Sequence, residues 1–392
     1  MNEKDESEFD AHQKFMQRAF EISILGHPSP NPYVGAVIVK NGEIIGEGYH
    51  KKAGLNHAEV EAILDAKKRY ADANDTDSSE KMKKIFDGAT LYVTLEPCNH
   101  TGKTPPCTKA IIDAGIKKVV FSLKDPNENV KGGGKLFLEK NGVEVIGGIL
   151  EEYARAVNNA YLKVLAQKMP LVTLKMACTL DGKTYISDKY PRQISSEQSQ
   201  NIVMKMRDKA DAIMVGIGTV IKDNPKLTAR TNKEYQDPLR VVVDSKLRSV
   251  ADMNVFSDSN VVVAYCTSED AKIQQFEKND IRLIKCPQDK TGRVDLHYLL
   301  KELAKMGINQ VLCEGGSTLA RSLLDKNLID VMILFYAPII APDGQKLIFR
   351  SMNETDKKQK NEISEVSDYI KNAKIVNAIK CADDLMVVLN LR

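Results

Sequence analysis

Apolar positions along the chain recur with two periods, and the switches between them outline its elements. Phe15, Ala19 and Ile22 fall at helical spacing, so a helix is expected over 15–25, followed by a Pro/Asn/Gly loop at 27–33. Short apolar runs at 34–39 and 44–49, joined by Asn41-Gly42, predict a β-hairpin. A helix over 57–68, a strand over 89–95, a helix over 108–114 and a strand over 118–122 come next, with residues 72–84 read as a polar surface insert. Lys131-Gly132-Gly133-Gly134-Lys135 lacks the spacing of a phosphate loop and reads as a turn into a helix over 136–141. A strand over 143–146 then closes a first domain, residues 1–149. Tyr153, Val157, Ala160, Tyr161, Val164 and Leu165 keep a helical period, which predicts one long linking helix over about 150–169, stopped by Pro170, at the head of a second domain, 150–392.

In that domain apolar strands are expected at 171–177, 212–216, 239–244, 260–265, 281–285, 311–314, 331–336 and 384–391. A helix is read over 198–209, a helical turn after Gly218 and a helix opening at Ser317-Thr318, while 350–374 is a polar loop with a short strand around Phe349. Strands separated by helices predict an α/β fold with a largely parallel sheet.

Composition narrows the function classes. A chain of 392 residues with 43% hydrophobic and 28% charged residues is an ordinary globular protein in two domains. A net charge of +3 and 6% aromatic content give no argument for a nucleic-acid or membrane partner. No apolar run is long enough to span a bilayer, and the polar start Met1-Asn2-Glu3-Lys4-Asp5-Glu6 lacks a secretory signal, so cytoplasmic residence is expected. Seven irregularly spaced cysteines are not a disulfide framework.

The chemistry concentrates in His57-Ala58-Glu59 and in Glu96-Pro97-Cys98 followed, after eight residues, by Cys107. One His and two Cys suit zinc, which takes three protein ligands in a catalytic site and keeps a fourth position for water. Glu59 is then the group that moves protons, as in the zinc nucleobase deaminases. A structural zinc site is the alternative; it needs a fourth His or Cys, for which His50 and His100 are nearest in sequence. Cys178, Cys266, Cys286, Cys313 and Cys381 read as buried thiols. In the second domain Glu314-Gly315-Gly316-Ser317-Thr318 ends a strand and opens a helix, a geometry suited to phosphate, without the Gly-x-Gly-x-x-Gly of an ordinary dinucleotide fold.

Together with Pro30-Asn31-Pro32-Tyr33-Val34-Gly35 and Gly48-Tyr49-His50, the zinc motifs resemble the deaminase half of the bifunctional deaminase/reductase family of riboflavin biosynthesis. The eight-residue gap between cysteines is that family's form of the motif. Lys175 to Lys183, Val215 to Arg230, Val243-Asp244-Ser245 and Glu314 to Leu319 resemble its reductase half, which is similar in fold to dihydrofolate reductase. The resemblance implies a cytidine-deaminase-like zinc domain and an NADPH-dependent reductase domain, acting on phosphorylated pyrimidines in a homo-oligomer, a dimer or tetramer. By carry-over, His57, Cys98 and Cys107 bind about one zinc ion per chain and Glu59 is the acid/base. Asn31, His50, His100, Lys103, Asp125 and Asn127 would hold the deaminase substrate. Ala177, Gln193, Thr219, Asp223, Ser245, Gly316, Ser317, Thr318, Leu319, Ala320, Arg321 and Ser322 would contact NADPH. Pro191, Arg207, Leu227, Arg230 and Glu314 would contact the reductase substrate, with Arg207 and Arg230 clamping its phosphate. Gln193 stands where the family often has Trp, and Asn224 where it often has Asp. Ser245, Lys246 and Arg248 form a further expected cluster, toward a 2′-phosphate.

Overall fold

Helix α1 (Glu3–Ser23) and the hairpin of β1 (Gly35–Lys40) and β2 (Glu43–Tyr49) start the first half of the chain. The computed structural model describes residues 3–70, 84–100, 105–127, 133–187, 190, 193–229, 237–343, 345–346 and 373–391. Helix α2 (Ala58–Tyr70), β3 (Thr90–Leu95), α3 (Cys107–Ala114), β4 (Lys118–Leu123), α4 (Gly134–Lys140) and β5 (Glu144–Gly147) follow. The sheet order is β2-β1-β3-β4-β5, with β1 antiparallel to both neighbours and β3, β4 and β5 parallel.

The apolar run of β1 is explained by helices on both faces of the sheet. Gly35 faces α1, where an added Cβ would lie 2.0 Å from the Ala19 carbonyl oxygen, and side chains alternate faces along a strand. Its neighbour Ala36 pairs with Gly48, and a Cβ on Gly48 would lie 2.3 Å from the Ala62 nitrogen of α2. Gly48 thus sets how closely the helix carrying Glu59 approaches the sheet. Gly48→Ala is expected to displace α2 and to cost about 2–3 kcal/mol of stability, read as a fall in thermal midpoint together with deaminase activity.

Residues 151–169 do not form the single linking helix expected. Two helices, α5 (Glu151–Val157) and α6 (Asn159–Gln167), flank Asn158. The buried Asn158 side chain accepts from the Tyr33 N–H at 2.8 Å and donates to the Tyr33 carbonyl at 3.1 Å, which braces the loop that carries Asn31. Both helices fall in the first of two compact units, Met1–Gln167 and Lys168–Arg392. The division thus falls near the end of the segment read as a link, about 150–169, and the apolar period of 151–167 serves the core of the first unit, where Ala154, Val157 and Leu162 pack.

The second unit contains β6 (Leu171–Thr179), β7 (Lys183–Tyr185), α7 (Glu197–Lys209), β8 (Ala212–Gly216), α8 (Ile217–Asp223), β9 (Leu239–Val243), β10 (Val261–Tyr265), α9 (Asp270–Lys278), β11 (Arg282–Lys285), α10 (Leu296–Lys305), β12 (Gln310–Cys313), α11 (Ser317–Asp325) and β13 (Val331–Ala337). After the two-residue β14 (Gln345–Lys346), which pairs with β7, it ends in the hairpin β15 (Lys374–Cys381) and β16 (Asp384–Asn390). Its main sheet runs β11-β10-β9-β8-β12-β6-β13-β16-β15, parallel up to β13 and antiparallel beyond. Strand β15 was not expected: it is an edge strand exposed along nearly its whole length, so it lacks the apolar alternation of a half-buried strand. The inserts expected at 72–84 and 350–374 and the strand around Phe349 lie mostly or wholly outside the described residues.

Candidate active sites

Strand β3 ends beside the start of α2, and this junction builds the first site. His57 immediately precedes α2, Cys98 lies in the loop after β3, and Cys107 is the first residue of α3. Their ligand atoms lie within 4.8 Å of one another. His57 Nδ1 is 3.2 Å from Cys107 Sγ and 3.5 Å from Cys98 Sγ, close to the spacing of about 3.5–3.8 Å between donors on a tetrahedral zinc. The Cys107 N–H donates to Cys98 Sγ at 3.4 Å, so the start of α3 stabilises sulfur as thiolate. Hydrogen bonding from the Cys107 thiol, with help from His57, pulls Cys98 down to about 4, and the same bond to Cys98, with burial, pushes Cys107 up. The same Cys98 hydrogen bond raises His57. One nitrogen and two sulfurs, with no fourth His or Cys in the cluster among the described residues, fit a zinc ion that keeps one position for water.

Glu59, in the first turn of α2, is 3% exposed and takes a hydrogen bond from the Cys107 thiol. Burial first, then the Cys98 charge, raises its carboxyl to about 7. It stands beside the metal donors without being one of them.

His50 is not a fourth ligand. Its Nδ1 lies 2.9 Å from the Asn56 carbonyl oxygen, which can only accept, so Nδ1 carries the proton. Burial lowers its pKa, and its Nε2 then accepts from the Asn31 side-chain amide at 3.0 Å. Both ring nitrogens are spent on protein, and the ring meets His57 edge-on at 5.3 Å between centroids. His50 thus orients Asn31 and leaves the Asn31 carbonyl oxygen as the group to face a ligand.

His100 Nδ1 is buried with no hydrogen-bond partner among the described residues. Asp125 lies near His100, Glu96 and Cys98, and burial raises its carboxyl. Its Oδ1 accepts from the Asn127 N–H at 2.9 Å, and the half-buried Tyr161 of α6 bonds the Asn127 side chain through its hydroxyl. Lys103 lies outside the described residues. Glu96, to which sequence reasoning assigned no role, accepts from the Lys135 N–H at 2.9 Å and so fastens α4 to the zinc loop.

The second site is a cavity of about 960 Å³ in the second unit, along the carboxyl ends of β9, β8, β12 and β6. Ala177, Thr219, Asp223, Ser245, Gly316, Ser317, Thr318, Leu319, Ala320, Ser322 and Glu314 all line it. Gly315 is required by close approach, since an added Cβ would lie 2.9 Å from Val215 Cβ, and Gly316 holds φ +66°. These two glycines bring the start of α11 to the cavity wall, a cradle for phosphate groups. A cavity of this size with a glycine turn in its wall fits a dinucleotide.

Four expected contacts stand differently. Gln193 is exposed and does not line the cavity, and Arg321 pairs with Asp325 one turn along α11 at 2.7 Å. Leu227 is buried with Ile213, Val215 and Val242, so its side chain serves the core. Arg207 does not present an open fork to phosphate: its Nε and Nη2 bond both Glu314 oxygens at 2.5 and 2.9 Å, and Nη1 donates to the Thr228 carbonyl at 3.2 Å. The Glu314 carboxylate thus occupies the guanidinium fork expected to clamp phosphate together with Arg230. Pro191 and Arg230 lie outside the described residues. The motifs name no proton donor for the reduction, but Lys175 on β6 lines the cavity near Glu314 and Arg207, and burial lowers its ammonium pKa.

Two such centres on one α/β chain define a zinc-dependent deaminase joined to a nicotinamide-dependent reductase. Residues 9–123 match the cytidine and deoxycytidylate deaminase zinc-binding region, and residues 170–373 match the RibD C-terminal domain. Riboflavin biosynthesis protein RibD of Actinobacillus pleuropneumoniae is 39% identical over 329 residues, 83% of each chain. That of Bacillus amyloliquefaciens is 35% identical over 379 residues, 95% of this chain and 98% of the relative. Acinetobacter baumannii RibD, form 1, superposes with a TM-score of 0.80 at 32% identity over 98% of this chain and 99% of that one. A diaminohydroxyphosphoribosylaminopyrimidine deaminase/5-amino-6-(5-phosphoribosylamino)uracil reductase from Thermotoga maritima gives 0.81 at 35% identity, over 98% and 100%. The chain belongs to the RibD family: it is a bifunctional deaminase and reductase of riboflavin biosynthesis, with zinc and NADPH as cofactors.

Proposed function

We propose that the first unit hydrolyses 2,5-diamino-6-(5-phosphoribosylamino)pyrimidin-4(3H)-one to 5-amino-6-(5-phosphoribosylamino)uracil and ammonia. The second unit then reduces the ribosyl group to ribityl with NADPH, giving 5-amino-6-(5-phosphoribitylamino)uracil. The observation that carries this reading is the buried carboxyl of Glu59 beside a three-donor cluster of His57, Cys98 and Cys107.

These three residues hold the zinc ion, which when bound activates water for attack on the amino-bearing ring carbon. Glu59 takes the proton of the attacking water and hands it to the departing amine. Asn31, oriented by His50, reads the pyrimidine edge through its carbonyl oxygen. His100, Lys103, Asp125 and Asn127 complete the pocket. Because His50 acts through Asn31, His50→Ala is expected to raise KM about tenfold, and the double variant with Asn31→Ala to be no worse than Asn31→Ala alone within about twofold. Additive losses in deaminase kinetics would instead put His50 on the substrate.

In the second site the Gly315-Gly316 turn and the cavity wall would hold NADPH, which when bound would supply a hydride. The ribosyl C1′ gains that hydride, its bond to the ring oxygen breaks, and the oxygen takes a proton from Lys175. The Arg207–Glu314 pair holds the sugar end, and Arg230 and Pro191 belong to the same reading. Cytoplasmic residence and self-association into a dimer or tetramer do as well. The exposed Ile375, Val376 and Ile379 on the edge strand β15 support self-association, which sedimentation at several concentrations would test.

The test is stoichiometric. With NADPH, one cofactor oxidised per ammonia released is expected; without it, the ribosyl uracil should accumulate. Ammonia release with no NADPH oxidation would remove the second step.

A further inference from the structure

The cavity has a direction, and its far end is more elaborate than sequence alone shows. Lys175, midway along β6, and Glu314, just after β12, mark the end that would take the nicotinamide on this reading. The Gly315-Gly316 turn takes the pyrophosphate. On the strand order β6-β12-β8-β9 the adenosine would then lie beyond β9, where Ser245, Lys246 and Arg248 line the wall. At the same end a loop from between β11 and α10 contributes Thr291, Gly292 and Arg293.

This loop is built rigidly. Asp289 Oδ1 accepts from the Thr291 N–H at 2.9 Å, the Thr291 hydroxyl at 2.7 Å and the Arg293 N–H at 3.2 Å. The Asp289 N–H donates to the Arg293 carbonyl at 2.7 Å, and the loop is fastened to β9 where the Val294 N–H donates to Ser245 Oγ at 3.1 Å. Ser245 accepts that bond on its hydroxyl oxygen, and its side chain also hydrogen-bonds the Cys266 thiol. The Asp289 carboxylate, the acidic group at this end of the cavity wall, is turned to its own loop and to Lys326 Nζ at 3.1 Å. Arg248 is 57% exposed, with its Nε 3.9 Å from Asp244. Lys246 is exposed, whereas Arg293 is half-buried on the fixed loop.

We infer that Arg293 is the specificity-determining residue for the cofactor's 2′-phosphate, and that the 289–294 loop, fastened to Ser245, exists to hold it at the cavity wall. The assignment rests on NADPH being the cofactor of this cavity. A guanidinium offers paired donors that match phosphate oxygens, and a fixed backbone lowers the entropy lost on binding. Lys246 and Arg248 add charge from exposed side chains.

The test is calorimetric binding of adenosine 2′,5′-bisphosphate and adenosine 5′-monophosphate to the full-length enzyme. The wild type is expected to prefer the bisphosphate. Arg293→Ala should weaken the bisphosphate about tenfold or more and leave the monophosphate within about twofold. Arg293→Lys, which keeps charge and stem, should lose about threefold to fivefold on the bisphosphate alone and serves if the alanine variant does not fold. Equal weakening of both ligands would show that Arg293 only supports the loop, and no change in either would put the phosphate elsewhere; both results overturn the assignment. A wild type that binds neither ligand would sink the cofactor reading itself.

Discussion

Replacing Glu59 with Gln is expected to lower deaminase turnover about 10³-fold while zinc stays at about one ion per chain. Glutamine keeps the volume and one acceptor oxygen of the buried side chain but cannot carry a proton from water to the leaving amine. The three donors His57, Cys98 and Cys107 are untouched, so metal analysis and turnover separate a proton shuttle from a structural residue. NADPH oxidation on the deaminated substrate should be unchanged, because Glu59 lies in the first unit and the reductase cavity is lined by residues of the second. Loss of zinc in the variant, or activity indifferent to it, would move Glu59 out of the chemistry. The substitution also has a pH signature in the metal-free protein. The Glu59 carboxyl is raised from 4.5 to about 7, so the folded state binds more protons than the unfolded one in that window. Its contribution to stability therefore falls as pH rises from 4.5 to about 7, and Glu59→Gln should flatten that part of the profile.

Lys175→Met should lower reductase turnover about 10²- to 10³-fold and leave deamination intact. Methionine keeps most of the apolar stem but removes the proton that the opening sugar ring needs. The wild-type pH profile checks the same group independently. Lys175 donates only when protonated, and burial moves its pKa below the usual lysine value, with Glu314 pulling it back up and Arg207 down again. Reductase activity should therefore fall with rising pH at a lower pH than an ordinary lysine would give. Glu314→Gln should shift that limb lower still, by removing the anion that favours the ammonium. An unshifted limb in this variant, with turnover retained in Lys175→Met, would assign the proton to another donor.

Much of both sites was legible as local pattern. The zinc donors, Glu59 and the Gly315-Gly316 turn each depend on residue type at a strand end or helix start, and such junctions leave period changes and glycine or proline marks in the chain. The strands of both sheets were likewise readable because most are apolar runs buried on two faces. Edge strand β15 was not, because exposure on both faces leaves no such record. The pair of helices around Asn158 was merged into one because a helical period does not show a buried asparagine bracing a loop 125 residues away.

The sequence by itself determined the two-part α/β order, the donor set for zinc and the phosphate cradle, since these follow from residue chemistry over short spans. Only the tertiary structure decided what the polar side chains do with their hydrogen bonds. Folding turned His50 from a possible ligand into the residue that orients Asn31. It paired Arg207 with Glu314, enclosed Lys175 at the cavity and brought Arg293 to the cavity end that Ser245 lines. Partners distant in sequence decide these roles, because a buried polar group must be satisfied by whatever the fold places beside it.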